Sequence, residues 1–449
     1  MKHTRIDMDE FVARRAALLA TMPDNSVALI PAAKEVTRSR DTEYLFCQDK
    51  DFYYLSGFHE PDALLVLVKN DPALTMTEAA TETVLFCRDK DPEQEVWHGR
   101  RVGAEQAEIQ FKVDLAYTLD ELEQILPMYI NGKQTLLFAQ GAQAEFDNLV
   151  FACLEVLRGG AKQGLKAPNT IIDIRDSIHE MRLIKSAAEI AVMREANVIS
   201  GNAHKRAMAF AAQGQFEYQV EAEILHEFAA NGARAAAYGS IVGGGENATI
   251  LHYTDNDEVL VDGDLLLIDA GAELSGYAAD ITRTFPVDGK FNEAQAALYN
   301  LVLESQFSAI KTIKPGSNFA IANKVANDVL TTGLYELGLL TGELDTLIEE
   351  KACKKFFIHG LGHWLGLDVH DVGDYQMDEN KNQLRSFKAG MVMTIEPGLY
   401  IDAEADVDEK WQGLGVRIED NILVTETGYE NLTTTAPKTI AEIEAVMAK

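Results

Sequence analysis

Two aspartates eleven residues apart, three histidines within twelve residues and two further acids at strand ends are the groups best suited to chemistry. The apolar run 265–268 ends in Asp269, and Asp280 opens the run 280–285, which reads as a returning strand. If the intervening turn centres between Leu274 and Ser275, Asp269 and Asp280 face each other with Cβ atoms about 5 Å apart. Opposed carboxylates repel, and a cation between them removes the repulsion. The plainer alternative is a solvated pair on an edge hairpin. A second strand, 391–395, leads into Glu396-Pro397-Gly398. Pro397 cannot donate to a ladder, so Glu396 is expected at a strand end. In 416–421 the period of two puts Arg417, Glu419 and Asn421 on one face. Ile268-Asp269-Ala270-Gly271 echoes Ile395-Glu396-Pro397-Gly398, and each is followed by a strand with a second acid, Asp280 or Glu419. The echo suggests an internal duplication that brings two acid pairs together.

His359, His363 and His370 lie in the stretch 357–371 with Gly360, Gly362 and Gly366. Those glycines argue against a continuous helix. They suit a loop that lets backbone and imidazole approach a centre closely. HGLGH is not HExxH, and GLGHWLG has the wrong spacing for GxGxxG. His252 belongs to another glycine-rich loop, 243–253, which lacks the lysine of a phosphate-binding loop. A lone histidine is most simply structural. Three in one loop, in the same domain as two acid pairs, point to metal binding or catalysis.

The elements that must position these groups fall into two parts. Before residue 160, the apolar runs 27–30, 64–68, 84–87 and 136–138 read as buried strands, and 7–19, 119–126 and 145–157 as helices. That alternation is an α/β pattern. The stretch GGAKQGLKAPNT, 159–170, marks a linker or domain edge, which gives domains 1–172 and 173–449. The second begins with a helix whose start, Ser186 with Glu189, has the form of a capping box. Forty basic against seventy-one acidic side chains leave a net charge of −31 over 449 residues. That balance argues against nucleic acid and against an anionic membrane surface as partners. The four cysteines form no CxxC pair, so neither a disulfide framework nor a thiolate zinc site is expected. The charged N-terminus has no apolar signal region, and no apolar run approaches the ~18 residues of a membrane span. A cytoplasmic location is expected.

Asp269, Asp280, HGLGHWLGLDVHD, IEPGLY and VRIEDN occur in the order seen in the pita-bread metallopeptidases. The chain resembles the Xaa-Pro aminopeptidase (aminopeptidase P) family, close kin of prolidase. The likeness extends to RLIKS with Glu189, to DFYYLSGF at 51–58 and to EVW at 95–97, and so spans nearly the whole chain. It implies an α/β N-terminal domain followed by an α+β, duplicated pita-bread catalytic domain. It implies five metal ligands, Asp269, Asp280, His363, Glu396 and Glu419, holding two divalent ions bridged by a hydroxide. Their four negative charges match two divalent cations, and the oxygen-rich set without thiolates favours Mn(II). The resemblance also implies that Glu396 acts as general base and that His252, His359, His370 and Arg417 contribute to catalysis and substrate binding. Tyr400 and Trp97 are further carry-overs in substrate binding, Trp97 toward a neighbouring subunit's site in a homo-oligomer, a dimer or tetramer. The expected reaction releases the N-terminal residue of peptides with proline in second position. The nearest alternative is a prolidase that takes only Xaa-Pro dipeptides. A non-catalytic binding protein on this fold is expected to lose ligands, and all five are present here. The long leading domain fits methionine aminopeptidase poorly.

Overall fold

Runs of apolar residues too continuous for a half-exposed sheet condense into the first of two units, Ile6–Met181; the second comprises Arg182–Lys449 with the chain up to Arg5. The structure is a computed structural model that describes residues 4–72, 79–377 and 383–448. In the first unit the strands lie in the order Leu115–Thr118, Thr81–Cys87, Leu64–Lys69, Ser26–Pro31, Thr135–Leu137 and Thr170–Ile172. Ser26–Pro31 runs antiparallel to Leu64–Lys69 and parallel to Thr135–Leu137. Val27, Leu29, Val66, Phe86 and Leu136 share one core with Val150 and Leu154. Five successive residues of each central strand are buried, as in a sheet covered on both faces. Helix Met8–Thr21 starts at Asp7, whose carboxylate accepts from the Asp9 N–H at 2.9 Å, an N-cap bond. The segment expected to be helical at 119–126 begins as a 3-10 turn, Leu119–Glu121, and continues as helix Leu122–Ile130. Strand Thr170–Ile172 pairs with Thr135–Leu137, so the stretch 159–170 leads back into the first sheet. The units divide within helix Arg175–Leu183.

The second unit is built twice over on one plan, as the sequence echo suggested. Helices Ala187–Phe210 and Glu217–Ala230 precede a sheet of Ile241–Gly244, Leu265–Asp269 and Thr282–Pro286. Helices Glu293–Ile310 and Phe319–Glu336 precede the paired strands Val392–Ile395 and Asp420–Val424. There the third position is taken by the histidine loop, whose Leu361 and His363 carbonyls accept from Glu396 and Thr394 N–H groups at 2.8 and 2.9 Å. The capping box at Ser186 forms, with the Ser186 N–H donating to Glu189 Oε2 at 2.9 Å.

The first hairpin departs from the expected register. Asp269 pairs with Thr282, not Asp280. The turn falls at Ser275-Gly276, with φ of +49° and +85°, one residue later than expected. Positive φ at both central residues is the two-residue turn whose twist matches the flanking strands. The resulting shift of two positions preserves the face, so Asp280 stays beside Asp269 on the diagonal. The ladder continues past the strand end, with Ala270 N–H donating to Ile281 and Ala279 N–H to Ala272, which sets Gly271 against Asp280. A Cβ on Gly271 would lie 1.7 Å from the Ala279 carbonyl oxygen, so this crossing requires glycine. In the second half, the pairs Ile395–Asp420 and Gly398–Arg417 leave Glu396 directly opposite Glu419.

The halves lock together through the strands that carry the acids. The Glu419 N–H donates to the Thr282 carbonyl at 3.1 Å, and the Thr284 hydroxyl donates to the Arg417 carbonyl at 3.0 Å. Arg283, fully buried, donates to the Glu419 carbonyl at 2.6 Å and to Asp420 Oδ1 at 2.7 Å. Removing one partner of such a buried ion pair costs roughly 3–5 kcal/mol.

Candidate metal centre

The two hairpins deliver four carboxylates to one cavity of about 640 Å³, and the histidine loop adds His363 to its wall. Asp280, His363 and Glu419 offer donor atoms that lie within 4.8 Å of one another. His363 Nε2 stands 3.4 Å from both Asp280 Oδ2 and Glu396 Oε1. Its Nδ1 lies 2.9 Å from the Trp364 carbonyl. A carbonyl only accepts, so Nδ1 carries hydrogen and Nε2 is the atom turned toward the acids. The Tyr238 hydroxyl lies 2.6 Å from Asp269 Oδ1 and 2.5 Å from Asp280 Oδ1; its single proton serves one of them at a time.

Burial and mutual repulsion raise three of the four acids of this centre. Burial, with Asp280 nearby, pushes Asp269 up to about 6. Burial raises Glu396 to about 7 and lifts Glu419 well above the usual carboxylate range, with Asp280 adding to both. For Asp280, burial alone would raise the carboxyl, but His363 outweighs it and holds it low. Burial would likewise lower His363, yet Asp280 and Glu396 raise it to about 9. A divalent cation held among these acids would offset the repulsion and burial that raise them. The donor set of four carboxylates and one imidazole therefore fits a hard or borderline divalent metal.

Arg417 is fixed by three bonds, to Asp269 Oδ2 at 2.8 Å, the Thr282 hydroxyl at 3.0 Å and the Tyr400 hydroxyl at 3.1 Å. The beside-Glu419 placement thus yields an ion pair with Asp269. The Tyr400 hydroxyl also meets His359 Nε2 at 2.7 Å, and His359 Nδ1 meets the Gly360 carbonyl at 2.7 Å. Nδ1 must therefore donate, and Nε2 accepts from Tyr400. Burial and the Arg417 charge push His359 down to about 3, so it stays neutral. His370 packs edge-on against His363, ring centroids 4.3 Å apart, and its side faces solvent. His252, also exposed, lines the same cavity. Its loop is held by buried Glu217, which accepts from Gly244 N–H at 2.7 Å, the Tyr253 hydroxyl at 2.8 Å and Glu258 N–H at 3.0 Å. Two expected site residues are not among those lining the cavity: Tyr400, which is bonded to the lining residues Arg417 and His359, and Trp97. Trp97 lies in the first unit, on helix Pro92–His98, 81% exposed.

Several neighbours were not singled out from sequence. Thr394 donates to Glu396 Oε1 at 3.0 Å and Thr282 to Glu419 Oε2 at 2.7 Å. Both stand two positions from an acid, so the period of two was the available signal. Asn421, placed on the right face, clamps the Asp280 backbone, accepting from its N–H at 2.9 Å and donating to its carbonyl at 2.6 Å. Tyr238 arrives from a distant segment and leaves no local signal.

Residues 191–426 match Metallopeptidase family M24, and residues 11–138 match the aminopeptidase P N-terminal domain. The chain is 49% identical to the Xaa-Pro aminopeptidase of Escherichia coli over 99% of its own length and 98% of the relative's. Among solved structures, zinc-substituted Escherichia coli aminopeptidase P in complex with product superposes with a TM-score of 0.95 at 48% identity, covering 99% of this chain and 98% of that one. Proline aminopeptidase P II from Yersinia pestis also gives 0.95, at 50% identity over 99% and 100%. The duplicated second unit thus has the pita-bread fold expected from the sequence. The chain belongs to metallopeptidase family M24, as a metallo-aminopeptidase with the N-terminal domain of aminopeptidase P.

Proposed function

We propose that the chain releases the first residue of peptides whose second residue is proline, the specificity that names its Escherichia coli relative. The observation that carries this reading is the convergence of Asp269, Asp280, His363, Glu396 and Glu419 on one cavity walled also by His252, His359 and His370. Those five would hold two divalent ions, with Mn(II) suited to the oxygen-rich set and four negative charges matched by two cations. When bound, such ions acidify water and polarise the scissile carbonyl. Glu396, beside His363 in the cavity, takes the proton of the attacking water and returns it to the departing proline nitrogen. His252 and His370, both exposed on the wall, donate to the carbonyl oxygen as it gains charge. The acids attract the substrate's free α-amine, which restricts cleavage to the N-terminus. A tertiary amide has no N–H to recognise, so the proline side must be selected by ring shape. His359, Arg417 and Tyr400, tied into one hydrogen-bonded row, supply a rigid wall for it.

Residues 1–172 are read as the N-terminal domain and 173–449 as the catalytic domain. Exposed Trp97 would complete the site of a neighbouring subunit in a homo-oligomer, a dimer or tetramer. A cytoplasmic location agrees with the strong net negative charge, and no helix among the described residues is long and apolar enough to cross a membrane.

The test uses protein stripped of metal and restored with Mn(II), comparing release of the first residue from Ala-Pro-Ala and Gly-Pro. Mn(II)-dependent cleavage of the tripeptide is expected. Cleavage of the dipeptide alone would make the chain a prolidase, and cleavage of neither would overturn the reading.

A further inference from the structure

The loop that carries His363 and His370 is held from behind by a charge cluster that the proposed chemistry does not use. Asp371 follows His370 directly and is buried. Its Oδ1 accepts from Arg182 Nη2 at 2.6 Å and its Oδ2 from Lys185 Nζ at 2.8 Å. Both cations are themselves buried. Gly366 leaves room for the pair, since a Cβ there would lie 2.1 Å from Asp371 Oδ2 and 2.8 Å from Lys185 Cε. The backbone N–H of Asp371 donates to the Trp364 carbonyl at 2.9 Å. That same carbonyl accepts from Nδ1 of His363 at 2.9 Å. One N–H fixes the carbonyl, and the carbonyl fixes the imidazole with Nε2 toward Asp280 and Glu396. In metal sites the partner of the non-ligating ring nitrogen sets tautomer and orientation, and its loss typically costs 10–100-fold in metal affinity.

We propose that Asp371, clamped by Arg182 and Lys185, is a positioning residue of the metal centre. It acts on His363 through the Trp364 carbonyl, and on His370 as its direct chain neighbour. The inference rests on the reading of His363 as a metal ligand. A cluster that merely stapled the start of the unit to this loop would affect folding stability and leave ion binding alone.

The experiment is a calorimetric Mn(II) titration of the metal-stripped full chain, well below its melting temperature, on the unaltered protein, Lys185→Met, Lys185→Arg and His363→Ala. A melt of each without metal accompanies it. Lys185→Met is expected to bind Mn(II) roughly 10-fold or more weakly while still folded, His363→Ala at least as weakly, and Lys185→Arg close to the unaltered protein. If Lys185→Met binds normally and only melts earlier, while His363→Ala binds weakly, the positioning role is overturned and the ligand stands. If His363→Ala also binds normally, the ligand reading falls and this inference with it. Should Lys185→Met not fold, the charge-balanced Asp371→Asn/Lys185→Met variant removes the pair, and buried Arg182 keeps its second partner, Asp368 Oδ2 at 2.7 Å. Its isotherm is read against the same two outcomes.

Discussion

In the first hairpin of the catalytic unit the two acids are offset, with Asp269 opposite Thr282 and Asp280 opposite Gly271, whereas in the second Glu396 and Glu419 stand face to face. The short aspartates share the Tyr238 hydroxyl, Arg417 serves Asp269, and Asn421 pins the Asp280 backbone. Among the hydrogen bonds of the longer glutamates, the donors to their carboxylates are threonine hydroxyls, from Thr394 and Thr282. The protonation follows the geometry. Asp280 lies below its ordinary value, while burial pushes Asp269 up to about 6, Glu396 up to about 7 and Glu419 well above the usual carboxylate range. Of the four acids only Asp280 is offset by protein groups; Asp269, Glu396 and Glu419 are all raised by burial, so a cation would relieve both hairpins. Duplication supplied the plan, and side-chain length and partners set the two halves apart.

Breaking the second hairpin chemically has the largest effect. Glu396→Gln keeps the shape and removes the base, and kcat on Ala-Pro-Ala is expected to fall about 10²–10⁴-fold, with the circular dichroism spectrum unchanged. The offset of the first hairpin is tested at the glycines that occupy matching places in the echo. Gly271→Ala drives Cβ into backbone at 1.7 Å, whereas at Gly398 the nearest atoms to a Cβ are side-chain atoms of Tyr400, its hydroxyl at 2.4 Å. Calorimetric melting should show a loss of about 1–3 kcal/mol or more for Gly271→Ala and a smaller one for Gly398→Ala. Equal losses would argue against the offset.

The charge contrast predicts opposite signs in metal-free protein. Asp280→Asn removes the ionised partner of His363 and should lower stability by roughly 1.5 kcal/mol. Glu419→Gln removes a carboxyl that already avoids ionisation and should leave stability unchanged or raise it. Paired urea titrations read both. A further contrast concerns how each half secures its third strand. Glu217 and Asn256 hold the 241–244 strand by hydrogen bonds to Gly244 and Val242 N–H groups, whereas Asp371 holds the histidine loop by ion pairs. Burial alone would raise Asp371, but Lys185 and Arg182 outweigh it and hold its carboxyl low. A lowered folded value contributes stability above the unfolded value near ~4, and that stability is lost as pH falls through the folded value. The melting gap between the unaltered protein and Asp371→Asn should therefore be widest near neutral pH and narrow below about pH 4.

Much of this site was legible because its chemistry rests on residue type and its faces on strand period. The acids, the histidine loop and the shared face of Arg417, Glu419 and Asn421 follow from those two rules. Four of the six strands of the first unit's sheet were legible as unbroken apolar runs; Leu115–Thr118 and Thr170–Ile172, only partly buried, were not. The register of the first hairpin was not, because it hinges on which residues take positive φ. Ser275-Gly276 carried the turn signal, and a centre one residue earlier moved Asp280 by two positions without changing its face. Tyr238 and the Arg182–Lys185–Asp371 cluster were hidden for another reason. They act across long sequence separations, where neither period nor spacing constrains who meets whom.

The measurement closest to the central claim is the number of Mn(II) ions bound per chain, by calorimetry on stripped protein, before and after Asp269→Asn/Asp280→Asn. If the two hairpins jointly form one dinuclear seat, the unaltered chain binds two ions and the double variant loses at least one of them. A chain that binds fewer than two, or a double variant that still binds two with unchanged affinity, would contradict it.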